Sequence, residues 1–266
     1  MIRIRLFGVT EVIDLDRGTA ITEFRGVKPR QILAILALHP GQYLSKGKLA
    51  RLLWDERSPD SWHSTLEGYV SVLRRSLEPG VRPTRSMITT QRGSYRLCPE
   101  RIVTDLVEFD TLVNQAAPLA PPASLPKLLA ALALARGEVL ADEQWTWLDE
   151  IRGRYQQKVA QTYVRAGQQA LAMGDTESAA DLGRRARDLD SLDEQAWTLM
   201  LEAFWIAGRR SDGLRCFATL RNTLATELGV APGRRAQRLH DLILHGEPGD
   251  QVAGRRVATG RPVPVA

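Results

Sequence analysis

Residues 62–77 of the chain read WHSTLEGYVSVLRRSL. Four apolar side chains in this segment recur at spacings of four, three and four residues, which places them in one stripe along an α-helix. They are Leu66, Val70, Leu73 and Leu77. The segment ends at Glu78-Pro79-Gly80, where a proline and a glycine stop helical structure. The pattern predicts a helix from Trp62 to Leu77 with one buried face.

The face opposite this stripe carries small side chains and an arginine. It consists of Ser64, Gly68, Ser71 and Arg75, with Thr65, Tyr69 and Val72 on one flank and Glu67 and Arg74 on the other. Small side chains permit close approach, so such a face suits the major groove of DNA, about 12 Å wide. Thr65 and Val72 can then touch thymine methyl groups, and Arg75 can meet a guanine or a phosphate. An ordinary amphipathic surface helix has the same pattern, and Arg74 can either pair with Glu67 or read a base.

Two further helices and a hairpin surround this helix in the sequence. Helical periodicity covers residues 28–39 and 46–54, and Ser45 precedes the second of these as a candidate N-cap. Residues 86–90 and 94–97 read as two strands. Thr90, Gln91 and Arg92 at the tip can donate to phosphates, and an arginine there can enter a minor groove. A three-helix unit followed by a basic hairpin predicts a winged helix.

The N-terminal segment and the charge distribution point the same way. Residues 2–6, 12–15 and 20–24 read as short strands and predict a small antiparallel sheet before Val27. Residues 1–105 hold 17 Lys and Arg against 11 Asp and Glu, whereas the remainder holds 19 against 20. This imbalance favours a polyanionic partner for the first part alone, although a solvated basic face fits the charge equally well.

From residue 101 onward the pattern is almost wholly helical. Predicted helices cover residues 125–136, 145–173, 176–189, 192–207, 211–228 and 233–244, after a Pro- and Ala-rich break at 116–122. Residues 170–175 align with residues 204–209, an offset of 34 that is typical of tetratricopeptide-like helix pairs. A generic helical bundle is the alternative. Residues 247–266 lack any period and predict a disordered tail.

Composition and motifs argue against several classes of protein. No apolar run approaches the ~18 residues of a membrane span, and the N-terminus alternates arginines with apolar residues, unlike a signal peptide. Cys98 and Cys216 are too few for a disulfide framework, and we interpret them as reduced, partly buried residues of a cytoplasmic, nucleoid-associated protein. The sequence holds no catalytic, dinucleotide or metal-binding motif. We therefore expect a protein that is not an enzyme and uses no cofactor or metal.

The predicted helix and hairpin resemble those of a known family. The residues Trp54 and Thr65-Leu66-x-x-Tyr69-Val70-Ser71-x-Leu73-Arg74-Arg75-x-Leu77, followed by ITTQRGSYRL at 88–97, are similar to the OmpR-type winged helix. More narrowly, they resemble the Streptomyces antibiotic regulatory proteins (SARPs). The second part resembles the bacterial transcriptional activation domain of that family in VTDLVEF at 103–109, AGR at 207–209 and ELGVAPG at 227–233. The resemblance covers about residues 1–246.

The resemblance implies a mainly α fold with a small N-terminal β-sheet. An OmpR-type winged helix-turn-helix (residues 1–100) is followed by an all-α, tetratricopeptide-like activation domain (residues 101–246). It implies a sequence-specific transcriptional activator, pathway-specific for a secondary-metabolite (antibiotic) gene cluster. Such a protein binds direct repeats in double-stranded promoter DNA, self-associates there, and recruits RNA polymerase holoenzyme through the sigma factor and the alpha subunit. We expect no membrane partner.

The matched positions, together with the helix faces, define the candidate sites. The DNA-binding set is Ser64, Thr65, Gly68, Ser71, Val72, Arg74, Arg75, Thr90, Gln91 and Arg92. The loop between the second and third helices matches the segment that contacts polymerase, and gives Asp55, Glu56, Arg57 and Asp60. Two other functions stay open on the sequence alone. One is a repressor with the same DNA-binding mode, and the other is a tetratricopeptide-like interaction module without specific DNA binding.

Overall fold

The computed structural model describes residues 1–55 and 58–246. Glu56, Arg57 and the predicted tail at 247–266 lie outside the described residues. The strands are β1 (Ile2–Arg5), β2 (Glu11–Asp14), β3 (Thr19–Ala20), β4 (Leu44–Ser45), β5 (Ile88–Gln91), β6 (Ser94–Leu97) and β7 (Ile102–Thr104). The helices are α1 (Val27–Ala37), α2 (Lys46–Trp54), α3 (Trp62–Leu77), α4 (Asp105–Ala116), α5 (Pro121–Leu134), α6 (Leu148–Ala172), α7 (Thr176–Leu189), α8 (Glu194–Ile206), α9 (Arg210–Glu227) and α10 (Arg234–His245).

The chain forms two compact units, and each of them is made of two separate stretches of the sequence. The first unit is Met1–Gln115 together with Leu129–Gln156, and the second is Ala116–Leu128 together with the described residues from Gln157 onward. The predicted boundary between two sequence domains, after residue 100, does not coincide with the boundaries of the compact units. It remains a prediction, because a domain defined by sequence need not coincide with a compact unit of the fold.

The N-terminal sheet of the first unit has the strand order β3-β2-β1-β7. Strands β1 and β2 pair antiparallel, as predicted, with Ile4 opposite Val12, and both of these side chains are buried. Strand β7 pairs parallel to β1 from about 100 residues away, with Ile2 opposite Ile102. This fourth strand was not predicted from the sequence, and the third strand has two residues, Thr19–Ala20, where residues 20–24 were predicted.

Three helices and a second sheet complete the winged helix. Helices α2 and α3 have the predicted bounds, and the Ser45 side chain accepts a hydrogen bond from the Lys48 backbone N–H at 3.2 Å, which confirms the predicted N-cap. The apolar stripe of α3 is buried, as expected. The wing sheet has the order β4-β6-β5, because the short strand before α2 joins the predicted hairpin. Helix α3 is thus held between the core and the wing.

Residues 138–147, here called the connecting segment, pack on the N-terminal sheet within the first unit. The Gly8 backbone N–H donates to the Glu138 carbonyl at 2.8 Å, and the Leu140 N–H donates to the Leu6 carbonyl at 2.7 Å. The buried Asp105 carboxylate accepts the N–H groups of Leu6 and Phe7 at 2.8 to 3.0 Å. The end of the N-terminal sheet at Leu6–Gly8 is therefore covered by Asp105 and the connecting segment, which lie 99 to 134 residues downstream.

The second unit is helical and contains the predicted repeat. In the first copy the Asp175 N–H donates to the Ala170 carbonyl at 3.0 Å, and in the second the Arg209 N–H donates to the Phe204 carbonyl at 2.8 Å. Each turn is made by a glycine with positive φ, 85° at Gly174 and 68° at the glycine 34 residues later. The same backbone bond recurs at the predicted offset, and the tetratricopeptide-like fold is confirmed.

Some boundaries and one whole element differ from the prediction. Helix α4 has no counterpart among the predicted helices, and α5 starts at Pro121 because a proline fits the first turn of a helix, where its missing N–H needs no partner. Cys98 and Cys216 are both unpaired, and burial raises the pKa of the Cys216 thiol to about 12. Across the described residues, none of the helices is both long and apolar enough to traverse a bilayer.

Candidate nucleic-acid interface

Helix α3 is anchored at its middle and at its C-terminal end as well as along its apolar stripe. Halfway along the helix, the Tyr69 ring packs against the Trp54 ring of α2, with centroids 6.4 Å apart. At its end the buried Glu78 carboxylate accepts the Met87 N–H at 2.6 Å and the Ser86 hydroxyl at 2.8 Å, and pairs with Arg101. These contacts fix the pitch and rotation of α3 relative to the wing.

The exposed face of α3 is the one predicted. Ser64, Gly68, Ser71 and Arg75 are all exposed, and a Cβ added at Gly68 would meet no atom within 4 Å. The Ser64 hydroxyl donates to the Ser61 carbonyl at 3.1 Å. Within the described residues, the Arg75 guanidinium has no hydrogen-bond or ion-pair partner, so it is available to a ligand. The helix therefore presents a shallow polar surface that ends in a free cation.

Two predicted contact residues lie on one flank of this face. Thr65 is half-buried, and its hydroxyl donates to the Ser61 carbonyl at 3.0 Å, which leaves the methyl group turned away from that bond. Val72 is also half-buried, three residues before the exposed Arg75. Both side chains offer apolar surface beside the polar face, as the predicted contact with thymine methyl groups requires.

Arg74 on the other flank is bound to the wing. Its Nη2 donates to the Ile88 carbonyl and to the Thr90 hydroxyl, each at 2.7 Å, and its Nε donates to the Ile88 carbonyl at 3.1 Å. Burial lowers the pKa of this guanidinium, which the nearby Tyr95 ring partly offsets. The pairing with Glu67 considered from the sequence is wrong. Arg74 sets the distance between α3 and the first wing strand instead.

Glu67 is bound by a residue that the sequence analysis did not single out. Lys46, the first residue of α2, pairs with the Glu67 carboxylate, and His63 lies 3.6 Å from the same oxygen. The hydrogen bond to Lys46 lowers the pKa of Glu67, and the same bond raises the pKa of Lys46. The acidic side chain next to the polar face is thereby neutralised, which reduces its repulsion of a polyanion.

The wing ends in a two-residue turn. Gln91 pairs with Ser94, and between them Arg92 and Gly93 have φ of 46° and 71°. Two positive φ values are typical of a type I′ hairpin turn, in which a glycine is comfortable and an arginine is strained. Thr90, Gln91 and Arg92 are all exposed at this tip, as predicted.

The loop between α2 and α3 is described only in part. Asp55 is exposed with φ of 45° and accepts a hydrogen bond from the Thr146 hydroxyl of the connecting segment at 3.3 Å. The Trp147 indole N–H donates to the Leu52 carbonyl at 3.0 Å, one turn away. Asp60 is exposed, and the other two predicted residues of this loop lie outside the described part of the chain. The start of the loop is thus tied to residues 146–147.

The geometry defines a winged-helix protein joined to a tetratricopeptide-like helical unit. Two family models match the chain: "Transcriptional regulatory protein, C terminal" over residues 26–97 and "Bacterial transcriptional activator domain" over residues 104–244. The second covers more than half of the sequence. The chain belongs to the bacterial transcriptional activator domain family and, with its N-terminal winged helix, to the Streptomyces antibiotic regulatory proteins.

Similar proteins fall in the same class. The regulatory protein DnrI of Streptomyces peucetius is 28% identical over 94% of this chain and 95% of its own length. The regulatory protein AfsR of Streptomyces coelicolor is 29% identical over 91% of this chain, which spans only 24% of AfsR. The solved structure of Mycobacterium tuberculosis EmbR in complex with a low affinity phosphopeptide matches with a TM-score of 0.81 at 24% identity. The match covers 94% of this chain and 66% of the EmbR chain, and it shows that the two chains share a fold.

These relatives are regulators by name, and the chain is accordingly a transcriptional regulator of the SARP type.

Proposed function

We propose that the chain is a sequence-specific DNA-binding transcriptional activator that acts at promoter direct repeats. One observation carries this proposal: the exposed face of α3, small except for the unpartnered Arg75, lies beside a wing whose tip exposes Arg92. A helix with small outward side chains enters the major groove closely, and a basic hairpin beside it reaches the adjoining backbone.

Each residue of the predicted set has a role in this binding mode. Ser64, Gly68 and Ser71 let the helix approach the base edges, and Arg75 contacts a guanine or a phosphate. Thr65 and Val72 touch thymine methyl groups on one flank. Thr90, Gln91 and Arg92 bind phosphates from the wing. Arg74 acts chiefly as a positioning residue, since its Nε and Nη2 donate to the Ile88 carbonyl and the Thr90 hydroxyl.

Activation requires contact with RNA polymerase as well as with DNA. We propose that the α2–α3 loop, through Asp55, Asp60 and the intervening Glu56 and Arg57, contacts the sigma factor or the alpha subunit of the holoenzyme. Protomers on direct repeats stand head to tail, with repeat centres about 10–11 base pairs apart so that both wings meet one face of the DNA. Membership of the Streptomyces antibiotic regulatory proteins supports a regulator of secondary-metabolite genes, and we propose that it acts in the cytoplasm at the nucleoid.

The test combines binding with transcription. The promoters neighbouring the gene for this chain are titrated in gel shifts at about 50 and 200 mM salt, a range over which several phosphate contacts change affinity by orders of magnitude. We expect a retained, salt-sensitive complex that assembles in two steps, and a footprint of direct repeats. Inverted half-sites would contradict the head-to-tail arrangement.

Transcription in vitro with purified holoenzyme then decides the sign of regulation. We expect more transcript from the bound promoter. Less transcript would identify a repressor, and no DNA binding at low salt would favour a protein-interaction module.

A further inference from the structure

Helix α3 is bordered by different elements on its two flanks. Arg74 faces the wing, where it binds the Ile88 carbonyl. Val72 and Ser76 lie on the opposite flank of the helix and line a cleft with the segment that follows β2. A helix that occupies a major groove has a sugar-phosphate backbone along each of its flanks. In the proposed binding mode the wing contacts one of these backbones, and the cleft lies on the flank that faces the other.

The cleft is basic and open. Arg17, Arg25 and Arg75 line it, against one carboxylate, Glu23, among the described lining residues. Its volume is about 440 Å³, more than ten times the ~30 Å³ that a water molecule occupies in the liquid. A hydrated phosphate group and its neighbours on a strand therefore fit.

The arginines of the cleft are available to a ligand. In the described part of the chain the Arg25 side chain has no polar partner. The Arg17 Nε lies 3.5 Å from Asp14, with 70% of its own side chain exposed, and an exposed pair of this kind is weak. The neighbouring Asp16 carboxylate is taken by the N-terminal ammonium group. The positive charge of the cleft is thus not cancelled by its surroundings.

Arg25 shares an unusual backbone conformation with the wing-tip arginine. Both Arg25 and Arg92 have φ of 46°, and a glycine with positive φ follows each of them. A left-handed conformation at a non-glycine residue costs about 1 kcal/mol or more and clusters at functional sites. An arginine with positive φ thus occurs both in the wing and at the cleft, on opposite flanks of the same helix.

We propose that the cleft between α3 and residues 17–25 binds the operator backbone on the border of the major groove opposite the wing. Arg17 and Arg25 contact phosphates there, and Arg75 joins the two surfaces. This inference rests on the proposed DNA-binding function and adds a second backbone contact to it. Glu23 opposes binding, which limits the affinity of the cleft for any polyanion.

The test uses the full chain and the promoter fragment found by gel shift. The variants are Arg25→Asn, which removes the charge while asparagine tolerates the left-handed conformation, Arg17→Ala, and their combination. Each phosphate contact contributes about 0.9 to the slope of log affinity against log salt, so the double variant should bind with a slope shallower by about 1.8. Arg154→Gln, which removes one exposed arginine of α6, is the charge-matched control for each single variant and should leave the slope unchanged. Glu23→Gln should bind severalfold more tightly at low salt.

Hydroxyl-radical footprinting then locates the contacts. The double variant should lose protection on one border of the groove and keep it on the other, whereas Arg92→Asn should show the reverse. Unchanged slope and unchanged protection in the double variant, with the parent chain bound, would overturn the inference while leaving the proposed function intact. Loss of protection at the same phosphates in both variants would also overturn it. A parent chain that shows no salt-dependent binding to any promoter fragment would reject the proposed function itself.

Discussion

The two compact units differ in the sequence separation of the contacts that hold them together. In the first unit several buried polar contacts join residues that are far apart in sequence, 99 residues for the Leu6–Asp105 hydrogen bond and 112 for Gln31–Glu143. In the second unit the defining turns are closed by backbone bonds across five residues, repeated 34 residues later. A shape built from local bonds can be inferred from a short sequence window, whereas a shape closed by distant side chains cannot.

The difference bears on function because the candidate interface belongs to the first unit. The rotation of α3 and the position of the wing depend on single polar side chains such as Arg74 and Glu78. The second unit depends on how closely its helices approach, which is set by glycines that face neighbouring side chains. The units should therefore respond to different kinds of substitution.

The largest effect is expected at Asp105. Asp105→Ala leaves the buried N–H groups of Leu6 and Phe7 without their acceptor, which should cost roughly 2–4 kcal/mol of the unfolding free energy of the first unit. Peptide-resolved hydrogen exchange should show faster opening of β1 and β7 and little change in α8 and α9. Asp149→Ala, at an exposed position of α6, is the control. Equal acceleration in both units would show that they do not differ in this way.

A comparable loss in the second unit should come from overpacking. A Cβ at Gly167 would lie 2.4 Å from Leu199 Cδ2 and 3.3 Å from the Ala179 carbonyl oxygen. Gly167→Ala should therefore destabilise the second unit by about 1–3 kcal/mol, measured by urea unfolding. Gly153→Ala lies on the same helix but within the first unit, meets nothing within 4 Å and should stabilise that unit by up to about 1 kcal/mol through helix propensity. Two stabilising substitutions would mean that close helix approach does not limit this unit.

Adjacent arginines of α3 should separate binding from folding. Arg75→Ala should weaken operator binding by about 1–3 kcal/mol and leave the melting temperature unchanged, because no described group of the protein binds it. Arg74→Ala should lower the melting temperature, since it leaves the Ile88 carbonyl and the Thr90 hydroxyl without their donor. Gel-shift titration and thermal unfolding of both variants check this. An Arg75→Ala chain with full affinity would reject the assigned contact.

The smallest effect is a pH dependence in the first unit. Burial raises the pKa of the Glu143 carboxyl above its ordinary value of 4.5, while Gln31 and Arg30 oppose the shift. Between 4.5 and the raised pKa, the folded chain holds a proton that the unfolded chain has released, so this group makes stability fall as pH rises through that window. Glu143→Gln should remove that component from a series of urea unfolding curves. An identical pH slope in the variant would show that Glu143 titrates normally in the folded chain.

The sequence determined the helices and faces that local periodicity encodes. The buried stripe from Leu66 to Leu77, the Ser45 cap and the 34-residue repeat were all predictable, because spacing alone fixes them. The partner of Arg74 was not, because a backbone carbonyl 14 residues away leaves no mark in composition. The parallel strand β7 was missed for the same reason. The cleft beside α3 could not be predicted either, because it is formed by α3 and the segment after β2, about 50 residues apart in sequence.

The interleaving of the two units has a consequence for synthesis of the chain. Residues 129–156 belong to the first unit, so this unit cannot close when residue 100 leaves the ribosome. At roughly 5–20 residues per second, adding the next roughly 56 residues takes roughly 3–11 seconds. Throughout that interval the end of β1 at Leu6 and Phe7 lacks the neighbours that cover it in the finished protein. The nascent winged helix thus offers an open sheet edge to chaperones, or to another nascent chain, for a time set by the rate of translation.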